Sequence, residues 1–149
     1  RDMVNPDIVG KTYPATEPYL VGREKIREFA LATFHGADSP SVSLEASKQA
    51  GFQDLVAPPT FAIVLQQQSL EMVIEDPEAD LDFSRVVHGD QGFSYKRPII
   101  AGDQLTSQLS VESVKELAGN QMVAFLTKIF DSNNEMVAEA TSTLVVRGG

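Results

Sequence analysis

The fold is decided by the stretch LVAPPTFAIVLQQQSLEMVI, which occupies residues 55–74. Prolines are tolerated in the first turn of a helix, where their missing N–H groups would have no intrahelical partner. The pattern therefore predicts a helix over residues 60–74 that follows directly on Pro58 and Pro59. Because residues 61–65 are apolar without a break, this end of the helix has no polar face and must be surrounded by other elements.

The composition is that of one acidic globular domain covering residues 1–149, of which 42% are hydrophobic. A chain of this length can build one substantial core. The net charge of −9 argues against nucleic acid as a partner, because phosphate binding relies on clustered Lys and Arg. With no cysteine and two histidines, neither a metal site nor a cofactor is expected.

The sequence contains no targeting or membrane segment. No apolar run approaches the roughly 18 residues that a membrane span needs, and the N-terminus lacks the basic and apolar regions of a signal peptide. A cytoplasmic location is therefore expected. Arg1 and Asp2 precede Met3 and are interpreted as a remnant of recombinant expression.

Two further helices are predicted before the central one. Residues 23–34 carry apolar side chains at helical spacing with a polar opposite face. Ser43 is suited to cap a short helix over residues 44–50, which Gly51 would end. Ahead of both, residues 12–21 form an extended segment with two prolines, which places it at a sheet edge or in a lead-in loop.

Long strands dominate the C-terminal half. We predict them over residues 85–95, 104–116, 121–130 and 136–147, joined by turns. The strand at 121–130 is apolar on both faces, which favours a central position covered on two sides. An antiparallel sheet with a face to bury, beside one apolar helix, predicts an α+β hot-dog fold in which a curved sheet wraps the helix.

Four segments in order resemble the R-specific hydratase/dehydratase (MaoC-like) hot-dog family. They are residues 23–30, 56–61, 88–91 and 93–103. The likeness is greatest to the substrate-binding subunits of actinobacterial (3R)-hydroxyacyl-ACP dehydratases, of the FAS1-type dehydratase-like kind. It extends to the non-catalytic N-terminal half of the eukaryotic double-hot-dog hydratases. The resemblance spans residues 8–146.

The resemblance implies an acid–base pair that this sequence lacks. Catalytic members carry an Asp-x-Asn-Pro-x-His loop, whose Asp and His move the protons as water is added to or lost from an acyl thioester. One alignment places Ala37 and Val42 at these two positions, and the other places Asp38 and Ser43 there. Neither supplies an imidazole. Pro59 stands where the family has a helix-start glycine, and proline has no N–H to polarise a thioester carbonyl.

No residue is therefore assigned a catalytic role. Asp38 and His35 are weak candidates, more simply explained by turn chemistry and by a solvent-facing or capping position. The candidates for substrate binding are Pro58, Pro59, Thr60, Phe61, His88 and Gly89. Within this set, Thr60 is interpreted first as the hydroxyl cap or an early-turn residue of the helix, and Phe61 first as core. His88 fits a structural hydrogen bond as well as a surface for an acyl chain or a partner. Residues 66–68, all Gln, are expected to face solvent or a subunit boundary.

These observations predict an acyl-thioester-binding subunit of a (3R)-hydroxyacyl-ACP or hydroxyacyl-CoA dehydratase. The resemblance implies either a homodimer or a heterodimer with a catalytic MaoC-like hot-dog subunit that would supply Asp and His. The alternative is a non-enzymatic hot-dog module that binds a thioester or lipid, or serves as a scaffold. A thioesterase is disfavoured because Glu71 lies too far along the helix.

Overall fold

The computed structural model describes residues 3–148, so Arg1 and Asp2, with the interpretation attached to them, lie outside the described residues. A curved antiparallel sheet packs around one central helix, which confirms the predicted α+β hot-dog fold. The elements are β1 (Tyr19–Leu20), α1 (Arg23–Ala32), α2 (Leu44–Gln49), α3 (Ile63–Glu75), β2 (Val86–Tyr95), β3 (Gln104–Leu117), β4 (Asn120–Phe130) and β5 (Met136–Val146). Within residues 3–148, no helix has the length and apolar character that crossing a membrane requires.

The strands are ordered β1-β3-β4-β5-β2, with antiparallel neighbours throughout. The predicted central position of β4 is confirmed. Its predicted burial on both faces is wrong for this chain, because one face is buried and Met122 on the other is 36% exposed. Strand β2 pairs with β5, and within residues 3–148 no strand covers its other edge.

The central helix begins at Ile63, three residues later than the sequence predicts. Residues 58–62 form turns instead, with Phe61 N–H donating to the Pro58 carbonyl at 2.9 Å. The N–H groups of Ile63, Val64 and Leu65 donate to carbonyls three residues earlier, so residues 60–62 form a tighter turn ahead of the regular helix. The N-cap is Ala62, which provides no side-chain cap. Of the two predictions for Thr60, the helix cap is wrong, whereas the early-turn position agrees with its place in the turn before Ala62.

Helix α1 ends at Ala32, two residues earlier than predicted. The chain turns sharply at Phe34, whose φ is +67°, and His35 N–H donates to the Ala30 carbonyl at 2.9 Å. This is the backbone pattern that usually favours glycine after a helix. Phe34 is nevertheless 97% exposed. The predicted cap of α2 is confirmed, since Ser43 Oγ accepts from Ala46 N–H at 3.2 Å.

A band of polar side chains divides the core into two apolar clusters. One cluster includes Phe61 and Leu65, and the other includes Leu70 and Val73. Between them lie the residues that we call the polar band: Gln66, Ser69, Gln91, Ser107, Thr127 and Ser142. Gln66 is 2% exposed, so the prediction that it faces solvent is wrong.

The N-terminal segment, residues 3–21, fastens the sheet to the end of α3. Val4 N–H donates to Gln121 Oε1 at 2.6 Å, and Gln121 Nε2 donates to the Val4 carbonyl at 2.9 Å. Lys11 Nζ lies 2.7 Å from Asp76 Oδ2, just beyond α3. The segment then runs along β3 to the short edge strand β1, as the prolines in it predict.

Candidate functional site

A cavity of about 520 Å³, here called cavity 1, lies beside the start of α3. Three segments line it, drawn from residues 35–41, residues 56–59 and residues 95–99, together with the single residue Phe52. Its surface is mostly apolar, and its volume falls within the range of small-molecule sites in proteins. Cavity 1 can therefore accommodate an apolar chain.

Hydrogen bonds hold the three walls of cavity 1 together. Ser41 Oγ donates to the Val56 carbonyl at 2.5 Å, and Val56 N–H donates to the Pro40 carbonyl at 3.1 Å. On the other side, Ala57 N–H donates to the Ile99 carbonyl at 2.8 Å. The loop after α1 is thus fixed to the segment before α3, and that segment is fixed to the chain after β2.

Tyr95 places a hydroxyl group at the start of α3. Its Oη donates to the Pro59 carbonyl. Burial raises the pKa of Tyr95, and the backbone N–H of Ala62 acts in the opposite direction. The hydroxyl therefore lies at the start of α3, near the positive end of the helix dipole.

Two cationic residues lie at the edge of cavity 1, and they differ in pairing. Arg97 donates to both oxygens of Asp103, at 2.8 and 3.1 Å, and this hydrogen bonding raises the pKa of Arg97. Asp131 lies 3.7 Å from Arg97 as well. Lys96 is exposed and forms no ion pair with any residue of the 3–148 range. Lys96 is thus the cation in the wall that is free to meet an anionic group.

The structure does not assemble an acid–base pair in cavity 1. His35 lines the cavity and is half-buried, whereas Asp38 is exposed and lies outside the lining. Among the described residues that line cavity 1, none is a carboxylate. Ala37 and Val42, at the positions of the catalytic pair, carry no titratable group. His35 therefore has no acidic partner there.

The substrate-binding candidates separate into different places. Pro58 and Pro59 line cavity 1. Thr60 is exposed beside it, and Phe61 is fully buried in the core against Phe29, with ring centroids 5.4 Å apart. His88 lies on β2 with its side chain in a second cavity, and Gly89 follows at an irregularity of the β2–β5 pairing.

Sequence reasoning missed Tyr95, Lys96 and Arg97 as cavity residues. They belong to the run over residues 93–103 that carries the family resemblance, but nothing in a β-strand pattern shows that its end reaches the start of a helix. In residues 3–148, no three His, Cys, Asp or Glu side chains are grouped so that they could hold a metal ion.

Comparison with known proteins identifies close relatives. Residues 7–140 match the FAS1-like dehydratase domain region. A UPF0336 protein of Leifsonia xyli subsp. xyli is 56% identical over 146 residues, which covers 97% of both chains. A UPF0336 protein of Streptomyces avermitilis is 46% identical over 145 residues, covering 97% of this chain and 95% of the relative.

Solved structures agree with this relationship. A chain of the C-terminally truncated HadBC complex, a (3R)-hydroxyacyl-ACP dehydratase from Mycobacterium tuberculosis, superposes with a TM-score of 0.80 at 33% identity. The match covers 93% of this chain and 97% of that one. A MaoC-like dehydratase superposes with a TM-score of 0.85 at 27% identity, over 95% of this chain but 43% of the larger one.

Proposed function

Because the chain belongs to the FAS1-like dehydratase family of MaoC-like hot-dog proteins, we propose that it is the acyl-thioester-binding subunit of a (3R)-hydroxyacyl-ACP or hydroxyacyl-CoA dehydratase. In this proposal a second hot-dog subunit supplies the catalytic Asp and His. One observation carries the proposal: cavity 1 is retained beside the start of α3, while no carboxylate among the described residues lines it.

The lining of cavity 1 is suited to binding and positioning. An acyl chain enclosed there would gain about 0.8 kcal/mol for each methylene removed from water. The ammonium group of Lys96 could meet a phosphate of CoA or of the phosphopantetheine arm, since it has no carboxylate partner within residues 3–148.

The same lining is poorly suited to the proton transfers. Loss of water from a 3-hydroxyacyl thioester requires a base for the α-proton and an acid for the departing hydroxyl. His35 could serve as one of these, but no carboxylate orients it. Pro58 and Pro59 offer no N–H to a thioester oxygen, and the Tyr95 hydroxyl is already bonded to the Pro59 carbonyl.

Strand β2 is an edge strand, and within residues 3–148 no other strand pairs with its outer edge. The free edge of β2 presents unpaired backbone groups that a strand of another hot-dog subunit could extend. The relative in the HadBC complex is itself one part of a heteromeric dehydratase. We propose a heterodimer with a catalytic MaoC-like subunit, with a homodimer as the alternative, and a cytoplasmic location.

The test measures the hydration of crotonyl-CoA, which is monitored as a loss of the enoyl absorbance. The chain is assayed alone, then after co-expression with a hot-dog protein that carries the complete Asp-x-Asn-Pro-x-His loop. We expect no turnover by the chain alone and turnover by the pair that exceeds that of the partner alone. Robust turnover by the isolated chain, surviving His35→Gln and His88→Gln, would reject the division of labour.

A non-enzymatic thioester-binding module is the second candidate, and the absence of a carboxylate from the described lining of cavity 1 favours it equally. The same experiment separates the two functions. If the chain binds crotonyl-CoA but does not raise the turnover of a co-expressed partner, this result would support the binding module and overturn the dehydratase subunit.

A further inference from the structure

A second cavity, here called cavity 2, lies between α3 and the β2–β5 edge of the sheet. Its volume is about 270 Å³, and it shares no lining residue with cavity 1. One side is apolar and includes Leu70, Phe83 and Leu144. The rest of the lining is polar apart from Val86, and it includes His88 and members of the polar band. Cavity 1 lies at the end of β2 and cavity 2 near its beginning, so the two are roughly 20 Å apart along the strand.

Hydrogen bonds organise the polar side of cavity 2. Gln66 and Gln91 pair reciprocally: Gln91 Nε2 donates to Gln66 Oε1 at 2.6 Å, and Gln66 Nε2 donates to Gln91 Oε1 at 3.1 Å. His88 Nε2 lies 3.1 Å from the same Gln91 oxygen and 3.2 Å from Ser142 Oγ. These contacts fix the orientation of the imidazole.

The network also fixes which imidazole nitrogen carries the proton. An amide oxygen can only accept, so the contact with Gln91 Oε1 requires a proton on His88 Nε2. In the neutral ring, Nδ1 then has a free lone pair and acts as an acceptor. Within residues 3–148, His88 Nδ1 has no hydrogen-bond partner.

The buried polar side chains beside cavity 2 are hydrogen-bonded within the protein. Gln66 and Ser142 are 2% and 4% exposed, and burying such groups is costly unless each is hydrogen-bonded. Deeper in the same polar band, the buried Thr127 hydroxyl has no partner among the described residues. Within residues 3–148 the network leaves Nδ1 of the exposed His88 as the position on this side of cavity 2 that is available to a ligand.

The chemistry of the lining selects a neutral ligand with a hydroxyl group. Apart from the His88 imidazole, no described side chain that lines cavity 2 is ionisable, so the lining offers no carboxylate to a cationic ligand and no Lys or Arg to an anionic one. The unused polar position of His88 is an acceptor, which calls for a donor on the ligand. Since water occupies ~30 Å³ in the liquid, the cavity holds roughly nine heavy atoms.

We propose that cavity 2 is a binding site for a short aliphatic alcohol group, whose O–H donates to the Nδ1 lone pair of His88. The alkyl portion lies against Leu70, Phe83 and Leu144, and the polar band holds the imidazole in the accepting tautomer. This site does not depend on the function proposed for cavity 1.

The probe is 1-hexanol, and 1-fluorohexane, which has the same shape but no donor, is its control. Imidazole ¹⁵N spectra of the labelled full-length chain are recorded at pH 8, where a free imidazole is neutral. The chain has two histidines, so His35 in cavity 1 serves as an internal reference. We expect the free protein to show the His88 proton on Nε2. Hexanol should shift the Nδ1 resonance of His88 saturably, with no change at His35 and no such shift with fluorohexane.

Two exposed phenylalanines provide matched variants. Phe83 is 51% exposed and lines cavity 2, whereas Phe34 is 97% exposed and does not. Phe83→Ala should weaken hexanol binding about fivefold because apolar contact is lost, and Phe34→Ala should leave it unchanged. A proton on Nδ1 in the free protein would overturn the proposal. So would the absence of a saturable shift, an equal response to fluorohexane, or unchanged affinity in Phe83→Ala.

Discussion

The hydroxyl groups of Ser69 on α3 and Ser107 on β3 lie 2.7 Å apart, and both side chains are fully buried. Ser107 Oγ also donates to the Leu65 carbonyl at 3.0 Å. This contact joins helix to sheet between the two apolar clusters. We expect Ser107→Ala to lower the free energy of unfolding by about 1–2 kcal/mol, measured by urea denaturation, because Ser69 loses its partner.

A double-mutant cycle tests the cause of that loss. If the two hydroxyls act as a pair, Ser69→Ala combined with Ser107→Ala should cost less than the sum of the single changes. Ser110→Ala is the matched control on the same strand, because its hydroxyl bonds Thr12 at an exposed position and should change stability by less than about 0.5 kcal/mol. Additive single costs would contradict the pairing.

The carboxylate of Asp76 makes the free energy of unfolding depend on pH in the acidic range. Hydrogen bonds from Lys11 and then from Tyr13, at 2.7 and 2.6 Å, lower the pKa of Asp76 below its ordinary value of 3.8. A lowered pKa stabilises the folded chain above the unfolded-state pKa, and this contribution is lost as the pH falls through the folded-state value. We expect the free energy of unfolding to be steady above about pH 5 and to decline below it.

Asp76→Asn isolates this contribution. The variant should be less stable by about 1 kcal/mol at pH 7 and should lose part of the decline in acid, as urea denaturation at pH 7, 4.5 and 3 would show. Glu116→Gln, at an exposed position of β3, is the control and should retain the pH profile. A profile in Asp76→Asn that parallels the unmodified chain would show that other groups set the acid response.

The hydroxyl of Tyr95 is expected to hold the shape of cavity 1. Tyr95→Phe removes the hydrogen bond to the Pro59 carbonyl and should lower the free energy of unfolding by about 1 kcal/mol. Binding of crotonyl-CoA, measured by calorimetry, should weaken because Pro59 in the cavity wall is no longer fixed. If binding is instead unchanged while stability falls, the hydroxyl has only a structural role.

Tyr19 offers the matched control for Tyr95. Both rings pack against the same apolar cluster, but the Tyr19 hydroxyl makes no hydrogen bond within the described chain. Tyr19→Phe should therefore leave both stability and binding within about 0.5 kcal/mol of the unmodified chain.

The sequence predicted the elements better than their arrangement. Apolar spacing and turn residues located α1, α2 and the four long strands to within about two residues, because those signals are local. The pairing of β2 with β5 could not be predicted in this way, since alternation shows that a strand exists and not which neighbour it takes. The start of α3 was misplaced because an apolar pattern does not distinguish the tight turn at residues 60–62 from the first turn of a helix.

The candidate site was only partly accessible from the sequence. Pro58 and Pro59 were identified because the MaoC-like family has a glycine at the start of this helix. Both prolines do line cavity 1. Tyr95 and Gln66 were missed for a different reason. A tyrosine at the end of a strand and a glutamine in a helix have ordinary surface explanations, and their bonds to Pro59 and Gln91 arise from tertiary packing.

The hydrogen bond between Val4 and Gln121 joins residues separated by 117 positions. On a ribosome, the beginning of this chain would be synthesised long before its place on the sheet exists. Val4 cannot pair with Gln121 until β4 has been synthesised. Contacts between residues so far apart in the sequence slow folding. The acidic surface of the chain would help to keep that unfinished intermediate in solution while it waits.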